Sequence, residues 1–527
     1  MADRPNVLFI HTDEQRADTL GCYGNDLVET PHIDRLAREG ATFEEAHCTH
    51  PLCMPSRGSL LTGRYPSAHG TWRNGIPIRE DERTIADLLG DAGYTTGLIG
   101  KAHFTPYKGD PDEHPESVQI DAVGEDACWE FWREFDGPYY GFEHVETVLL
   151  HGHNEALGGH YGRWLAEEHP ESRGLIEQEA AIGETDPEYN VWTSALPPEL
   201  HSSNWVADRT IEFMDAAAAP FYAWVGIPDP HFPYNPPEEY ARRYDPSAVE
   251  RHVDPEGEVW GEDPPRYVTY HIEEKYGTDW RDVPESVQRE MLANYLAMVD
   301  LLDDAVGRIL DALEERGLAE DTVVVFTADH GDWMGEHGLF QKGLPHTRGL
   351  TRIPQIVRWP GVADPGRRVE GVASQVDLVP TLLDACGVEI PYGVQGESLR
   401  PVLTGEQERL REFALVEHRH EAYRPESFFV RNTGAADVEE MGAMQDNLVN
   451  WTDEDIHVRT VYTDRYRYSH VTGIEGEHGE LFDLEADPEE TENLWGKRPA
   501  VRSKLRDTLI EAMLHAEDPL PERRYPV

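Results

Sequence analysis

Short apolar, β-branched runs that stop abruptly in polar residues recur along the chain. NVLFI (6–10) runs into His11, Thr12, Asp13 and Glu14, and TTGLIG (95–100) into Lys101 and His103. FYAWVGI (221–227) runs into Asp229 and His231, and TVVVFTA (322–328) into Asp329 and His330. Runs without polar alternation are the pattern of strands buried on both faces, as in a parallel sheet. Helical periodicities lie between them. The clearest covers about 289–316, where Leu292, Tyr295, Val299, Leu302, Val306, Ile309 and Leu313 fall three and four apart on one helix face, with Gly317 as a stop. Strand, helix and strand in alternation predict an α/β fold with right-handed crossovers and a large, mostly parallel sheet. Ligands of such sheets bind beyond the carboxyl ends of the strands, so the polar residues that end these runs are predicted to converge.

The pattern is less regular from 105 to 200, a stretch rich in Trp, Tyr, Gly and His that reads as excursions around the site. Toward the C-terminus VRTVYTDRYRYSHV (458–471) alternates like a strand, and GELFDLEADPEETENLW (479–495) reads as hairpin, turn and helix start. A helix is expected over about 498–516. The predicted organisation is a catalytic unit over 1–400 and a smaller α+β unit, antiparallel sheet plus helix, over 401–527.

Composition narrows the setting. The chain has 527 residues, 39% of them hydrophobic, enough to bury a sizeable core. No apolar run approaches the ~20 residues of a membrane helix. MADRPNVLFIHTDEQR carries no basic region followed by a long apolar one, so no signal peptide is expected. Five scattered cysteines (Cys22, Cys48, Cys53, Cys128, Cys386) argue for a reducing, cytoplasmic location rather than a disulfide framework. The 101 Asp and Glu against 46 Lys and Arg give a formal net charge of −55, which excludes nucleic acid as a partner. Only six lysines are present. Acid-rich, lysine-poor composition resembles that of proteins from extreme halophiles, where molar salt shortens the Debye length to about 3 Å and screens the self-repulsion; an ordinary acidic cytosolic enzyme is the other reading.

Charge also shapes the chemistry. Asp13, Glu14 and Asp329 would repel each other on convergence unless a cation sat between them. Oxygen ligands with one imidazole, that of His330, suit a hard divalent ion: Ca²⁺ first, with Mn²⁺ or Mg²⁺ as alternatives. Lys101 and Lys342 flank the same strands in a chain that otherwise avoids lysine. A metal with lysines and histidines describes a pocket for a tetrahedral oxyanion ester, sulfate or phosphate, with His103 and His231 as general base or acid. Beside them stands CMPSRGSLLTG (53–63), a cysteine before a Pro-Ser-Arg turn and a helix-like segment. Cys53 is then a buried thiol, a thiolate nucleophile or the precursor of another group.

CMPSRGSLLTG matches the signature of the type I sulfatases, within the alkaline-phosphatase-like superfamily, and the chain resembles them through TDEQRADTLGCYGN, GKAHF, DPHFPYNPP, TADHGDWMGEHGLFQKG and SQVDLVPTLLDACGV as well. The resemblance implies that Cys53 is oxidised to formylglycine (3-oxoalanine) by a maturation enzyme that reads the motif's Pro and Arg. Hydrated, this residue is a geminal diol: one hydroxyl, activated by the metal, attacks sulfur, the alcohol leaves, and the second hydroxyl loses its proton to expel sulfate and restore the aldehyde. It further implies metal ligation by Asp13, Glu14, Asp329, His330 and modified Cys53. Arg57 would hold the formylglycine, His103 would deprotonate the diol, and Lys101 and Lys342 would bind sulfate oxygens. His231 would bind sulfate or protonate the leaving alcohol, and Asn74 could touch a small-molecule sulfate ester.

Three positions depart from the commonest family pattern: Glu14 where Asp is frequent, His330 where Asn is frequent, and Ala102 where many members have Trp. An Asp-His pair at 329–330 occurs in choline sulfatases, iduronate sulfatases and phosphonate monoester hydrolases alike. The expected activity is sulfuric ester hydrolysis; the alternatives are a phosphonate or phosphate ester hydrolase with the same nucleophile, and a non-catalytic binding protein on the fold. The alcohol and the oligomeric state are not readable from the sequence.

Overall fold

A computed structural model describes residues 4–186, 189–262, 264–269, 283–420 and 455–517. The central sheet takes eight strands: β1 (Asn6–Thr12), β2 (Ala41–His47), β3 (Thr95–Gly100), β4 (His144–Thr147), β7 (Phe221–Ile227), β8 (Thr322–Ala328), β9 (Gln355–Arg358) and β10 (Arg367–Ser374), with β5 (Ile182–Asp186) and β6 (Val191–Thr193) forming a separate antiparallel pair. Its order is β10-β2-β9-β8-β1-β7-β3-β4. Every pairing is parallel except those of β9, which runs against both neighbours.

The uninterrupted apolar runs are explained by burial on two faces. In β1, Leu8 and Ile10 face one core while Val7 and Phe9 face the other. Helices α1 (Pro31–Glu39), α2 (Cys53–Thr62), α3 (Ser202–Ala216), α4 (Glu285–Glu315) and α5 (Leu378–Ala385) supply the cover. The periodic segment is α4, beginning four residues before the expected 289; Leu292, Tyr295, Val299, Leu302, Val306, Ile309 and Leu313 all enter the first core. The second core receives Leu60 and Leu61 of α2 and Leu378, Val379, Leu382 and Leu383 of α5. The irregular stretch after residue 105 contributes the edge strand β4, the β5–β6 pair and two helices, Glu125–Glu134 and Gly159–Glu168, besides its loops.

The C-terminal sheet is antiparallel, β11 (Ala414–His420), β12 (Ile456–Tyr462), β13 (Tyr466–Thr472) and β14 (His478–Asp483) in that order, covered by α6 (Pro499–Ala516). Two expectations change. The segment 458–471 is a hairpin, not one strand, because Thr463 Oγ1 accepts the N–H of Tyr466 and closes a tight turn. Residues after β14 form turns, with no helix before Pro499, since Asp487 takes the N–H groups of Thr491 and Glu492. The sheet is tied to the central body by the Glu417 N–H to Thr49 carbonyl bond of 2.8 Å. Residues 421–454 and 518–527 of the expected second unit lie outside the described residues. Among the described residues no helix is long and apolar enough to cross a membrane.

Candidate active site

Four adjacent parallel strands, β8, β1, β7 and β3, end on the same edge, which places their polar termini side by side. Thr12 pairs with Ala328, so Asp13 and Asp329 leave the sheet together. The Asp329 N–H donates to the Thr12 carbonyl at 3.1 Å and the Glu14 N–H to Asp329 Oδ1 at 2.9 Å. Glu14 sits in the left-handed region (φ 62°). Tyr295 of α4 holds it there, donating its hydroxyl to the Glu14 carbonyl at 2.7 Å and accepting the Arg16 N–H at 3.0 Å. Lys101 can cross β7 closely because residue 226 is glycine; a Cβ there would lie 2.2 Å from the Lys101 carbonyl oxygen.

Cys53 is the first residue of α2 and is fully buried. Its Sγ lies 3.2 Å from Lys342 Nζ, 3.4 Å from His330 Nε2 and 3.6 Å from Asp13 Oδ1. Burial, reinforced by Asp13, pushes the Cys53 thiol up to about 12. An unmodified Cys53 is therefore a protonated thiol at neutral pH and a poor nucleophile. Four residues along the helix, Arg57 donates Nε to Asp329 Oδ2 at 2.9 Å and Nη1 to the Lys101 carbonyl at 3.0 Å, and stands 3.5 Å from Asp13. Asn74 Oδ1 accepts the Met54 N–H at 3.0 Å, satisfying one of the free donors in the first turn of α2. Its Nδ2 is buried with no hydrogen-bond partner.

The cationic side is equally close-packed. Lys342 Nζ lies 2.8 Å from Glu14 Oε2 and 2.9 Å from His231 Nε2, and His231 Nε2 is 2.9 Å from the same carboxylate oxygen. Burial alone would favour a neutral amine at Lys342, but the carboxylates of Glu14, Asp13 and Asp329 hold it charged, well above the ordinary lysine range. Lys101 Nζ pairs with Asp13 Oδ2. Burial would protonate Asp13, yet Lys101 and Arg57 keep it ionised, well below the usual carboxylate range. His103 and His231 are both driven well below the ordinary imidazole range, by burial first and then by Lys101 and Lys342 respectively. Both rings are thus neutral and able to accept a proton. His103 stacks on Tyr107 with ring centroids 4.0 Å apart, and its Nδ1 has no hydrogen-bond partner.

Ligand atoms of Asp13, Cys53, Asp329 and His330 lie within 4.8 Å of one another, all buried. His330 Nδ1 faces the Gly331 carbonyl at 2.8 Å, which leaves Nε2 turned to the cluster. Two carboxylates and an imidazole fit a divalent ion, and the buried Glu14 Oε1 has no hydrogen-bond partner, as expected of a donor reserved for one. Glu14 is not in the close cluster; its Oε2 belongs to Lys342 and His231.

Three participants carry no readable mark in the sequence. His151 lies within 2.9 Å of Lys101 Nζ and 3.5 Å of Asp13 Oδ2. Glu116 accepts the N–H groups of His103, Phe104 and Thr105. Tyr295 looks like any other core position of its helix. His151 is one of 25 histidines and stands in a stretch without periodicity; its place is set by the left-handed residues on either side, Leu150 (φ 61°) and Gly152 (φ 51°).

Comparison with known proteins bears on this geometry. The sequence profile of the family described as Sulfatase matches residues 5–388. An arylsulfatase of Clostridium perfringens is 30% identical over 434 residues, covering 79% of this chain and 82% of its own. An N-acetylglucosamine-6-O-sulfatase of Bacteroides thetaiotaomicron is 25% identical over 556 residues, covering 99% and 89%. Among solved structures, a phosphonate monoester hydrolase of Agrobacterium radiobacter superposes with a TM-score of 0.75 at 26% identity, over 97% of this chain and 96% of its own.

Proposed function

The chain belongs to the sulfatase family, has its alkaline-phosphatase-like fold and is a sulfuric ester hydrolase, and from that premise we propose that it cleaves a small sulfate monoester with a formylglycine made from Cys53. The observation that carries this reading is the position of Cys53 Sγ, 3.2 Å from Lys342 Nζ and inside the carboxylate–imidazole cluster of Asp13, Asp329 and His330. One divalent ion, Ca²⁺ before Mn²⁺ or Mg²⁺, would be held by Asp13, Asp329, His330 and the modified Cys53, with Glu14 Oε1 available as a further donor. Bound there, the ion and the formylglycine would supply an ionised hydroxyl nucleophile and Lewis-acid polarisation of the sulfate.

The chain's own residues do the rest. Lys101 and Lys342 neutralise the sulfate oxygens in a site closed to water, where charge stabilisation is strong. The proton for the leaving alcohol comes from the Lys342–His231 pair, in which Lys342 carries it and neutral His231, 2.9 Å away, orients the ammonium or binds a sulfate oxygen. His103, neutral and with a free Nδ1, takes the proton whose loss expels sulfate. Arg57 fixes Asp13 and Asp329 relative to α2. The maturation enzyme that oxidises Cys53 is the one protein partner this reading requires. A reducing, cytoplasmic location fits the five unpaired cysteines.

A second reading is favoured by the superposition on a phosphonate monoester hydrolase. Two measurements separate the possibilities. The mass of the Cys53 peptide should show loss of one sulfur and two hydrogens and gain of one oxygen; unmodified cysteine in fully active protein overturns the formylglycine reading. Turnover of 4-nitrophenyl sulfate should exceed that of a phenylphosphonate ester and a phosphodiester; the reverse order moves the assignment to the second reading.

A further inference from the structure

Outside the active site, a second buried cluster has the composition of a metal centre. Glu336, His337 and Glu490 bring one ligand atom each within 4.8 Å of one another, all three buried. They come from the loop after β8 and the turn after β14, so the cluster joins the central body to the C-terminal sheet. We propose that it is a second divalent-cation site, ligated by His337 Nε2 and the carboxylates of Glu336 and Glu490, and taking an ion of the Mn²⁺ or Zn²⁺ class.

The histidine carries the argument. His337 is 1% exposed, and its Nε2 has no hydrogen-bond partner. That nitrogen is turned to the cluster, 3.8 Å from Glu336 Oε1. The other ring nitrogen, Nδ1, lies 3.2 Å from Asp254 Oδ2. A carboxylate on the far nitrogen is what fixes the tautomer and raises the basicity of a metal-bound imidazole. Asp254 is itself held, accepting the N–H groups of Glu258 at 2.7 Å and Val259 at 3.0 Å. Backbone strain collects at the same place: Asp254, His337 and Glu490 are at φ of 50°, 53° and 56°, a region that non-glycine residues rarely adopt and that marks binding sites.

Charge points the same way. Arg16 is shared by Asp18 and Glu336, and Arg467 by Glu480 and Glu490. With Asp254 included, five carboxylates face two guanidiniums, and the local excess is negative. Arg348 and Arg352 stand nearby, but Glu45 and Glu44 neutralise them. Glu336 and Glu490 also line a cavity of about 290 Å³, together with Asp18, His252 and the guanidiniums of Arg16, Arg348 and Arg352. With three protein ligands, one of them nitrogen, this site suits Mn²⁺ or Zn²⁺; the catalytic set differs in adding the oxygens of modified Cys53 and Glu14, which the oxygen-rich shell of Ca²⁺ needs. The competing occupant is a proton on His337, which would hold the same three acids as an imidazolium.

Crystals of the wild-type chain soaked in MnCl₂ and measured at the manganese edge test the site without any variant. An anomalous peak among Glu336, His337 and Glu490 is expected. No peak there, with one present between Asp13 and Asp329, overturns this proposal and leaves the catalytic reading intact. In solution, equilibrium dialysis against Mn²⁺ should count one more ion per chain for wild type than for His337→Gln or Glu490→Gln, each checked by melting to be folded. Equal counts in all three assign the cluster to the imidazolium instead.

Discussion

Glu116 accepts the backbone N–H of His103 at 2.7 Å, and its other oxygen accepts the next two N–H groups, of Phe104 at 2.8 Å and Thr105 at 3.0 Å. His103 lies in the left-handed region (φ 54°), so its carbonyl and those that follow are turned away and the N–H groups form a nest for an anion. Glu116 is that anion, buried and tied to Tyr139 at 2.8 Å. Replacement by alanine would orphan three buried donors at about 1–3 kcal/mol each. Glu116→Ala is therefore expected to lower the melting temperature and to reduce kcat on the order of 100-fold, as a misplaced base does. Glu116→Gln, which keeps one acceptor, should recover most of the stability. Unchanged kcat in a folded Glu116→Ala protein would show that His103 does not need this support.

Lys342 links the nucleophile to the acid side of the site, touching Cys53 Sγ, Glu14 and His231. Lys342→Ala is expected to cost on the order of 10²–10³-fold in kcat, the scale of removing one preorganised charge-stabilising donor. Arginine should not rescue it, because a planar fork cannot replace a compact ammonium in contact with three groups. Steady-state kinetics on 4-nitrophenyl sulfate decide the matter; a Lys342→Arg enzyme with near wild-type kcat would contradict it.

Metal dependence can be separated from folding. Chelation with excess EDTA should abolish turnover, and Ca²⁺ or Mn²⁺ should restore it. Asp329→Asn should prevent restoration. It should also lower the melting temperature, because Arg57 loses its 2.9 Å carboxylate partner and breaking a buried pair costs about 3–5 kcal/mol. Full activity after chelation, with metal removal verified by elemental analysis, would exclude a catalytic ion.

Glu45 on β2 shows how acid should weaken the fold. Burial alone would raise its pKa, but the His47 ring 3.6 Å away and the Arg348 and Arg352 charges outweigh burial and hold it at about 2, against 4.5 unperturbed. The unfolded chain thus binds this proton first as pH falls. The contribution is present in full above about pH 4.5, is lost as pH drops toward 2, and is worth about 3 kcal/mol. Glu45→Gln is expected to melt below wild type at pH 7 and to converge with it near pH 2–3. Parallel melting curves across that range would show that the pairing contributes nothing.

The net charge of −55 makes stability salt-dependent on the halophile reading. Raising KCl from about 0.1 M to molar shortens the Debye length from about 10 Å to 3 Å and removes most long-range repulsion. The melting temperature should climb steeply over that interval. A flat curve would favour an ordinary acidic protein whose ion pairs already balance its surface.

Much of this molecule is legible in the order of its residues. Burial on two faces is a local property, written in runs such as Val7–Ile10 and Thr322–Ala328, and one-face periodicity gave α4 to within four residues. Because parallel strands end on one edge, the same runs also located Asp13, Glu14, Lys101, His103, His231, Asp329 and His330 around one point. What the sequence could not determine depends on contacts between remote segments. The hairpin at Thr463 was hidden because alternation continues through its turn. His151 and Glu116 belong to loops whose course is set by isolated left-handed residues and buried hydrogen bonds, features with no period. The division of Glu14 between Lys342, His231 and an unpartnered oxygen, and the meeting of His337 with Glu490 across 153 positions, were decided only by tertiary packing. Hydropathy dictates which segments are buried; the direction in which a polar side chain points at a buried site is fixed by the whole fold around it.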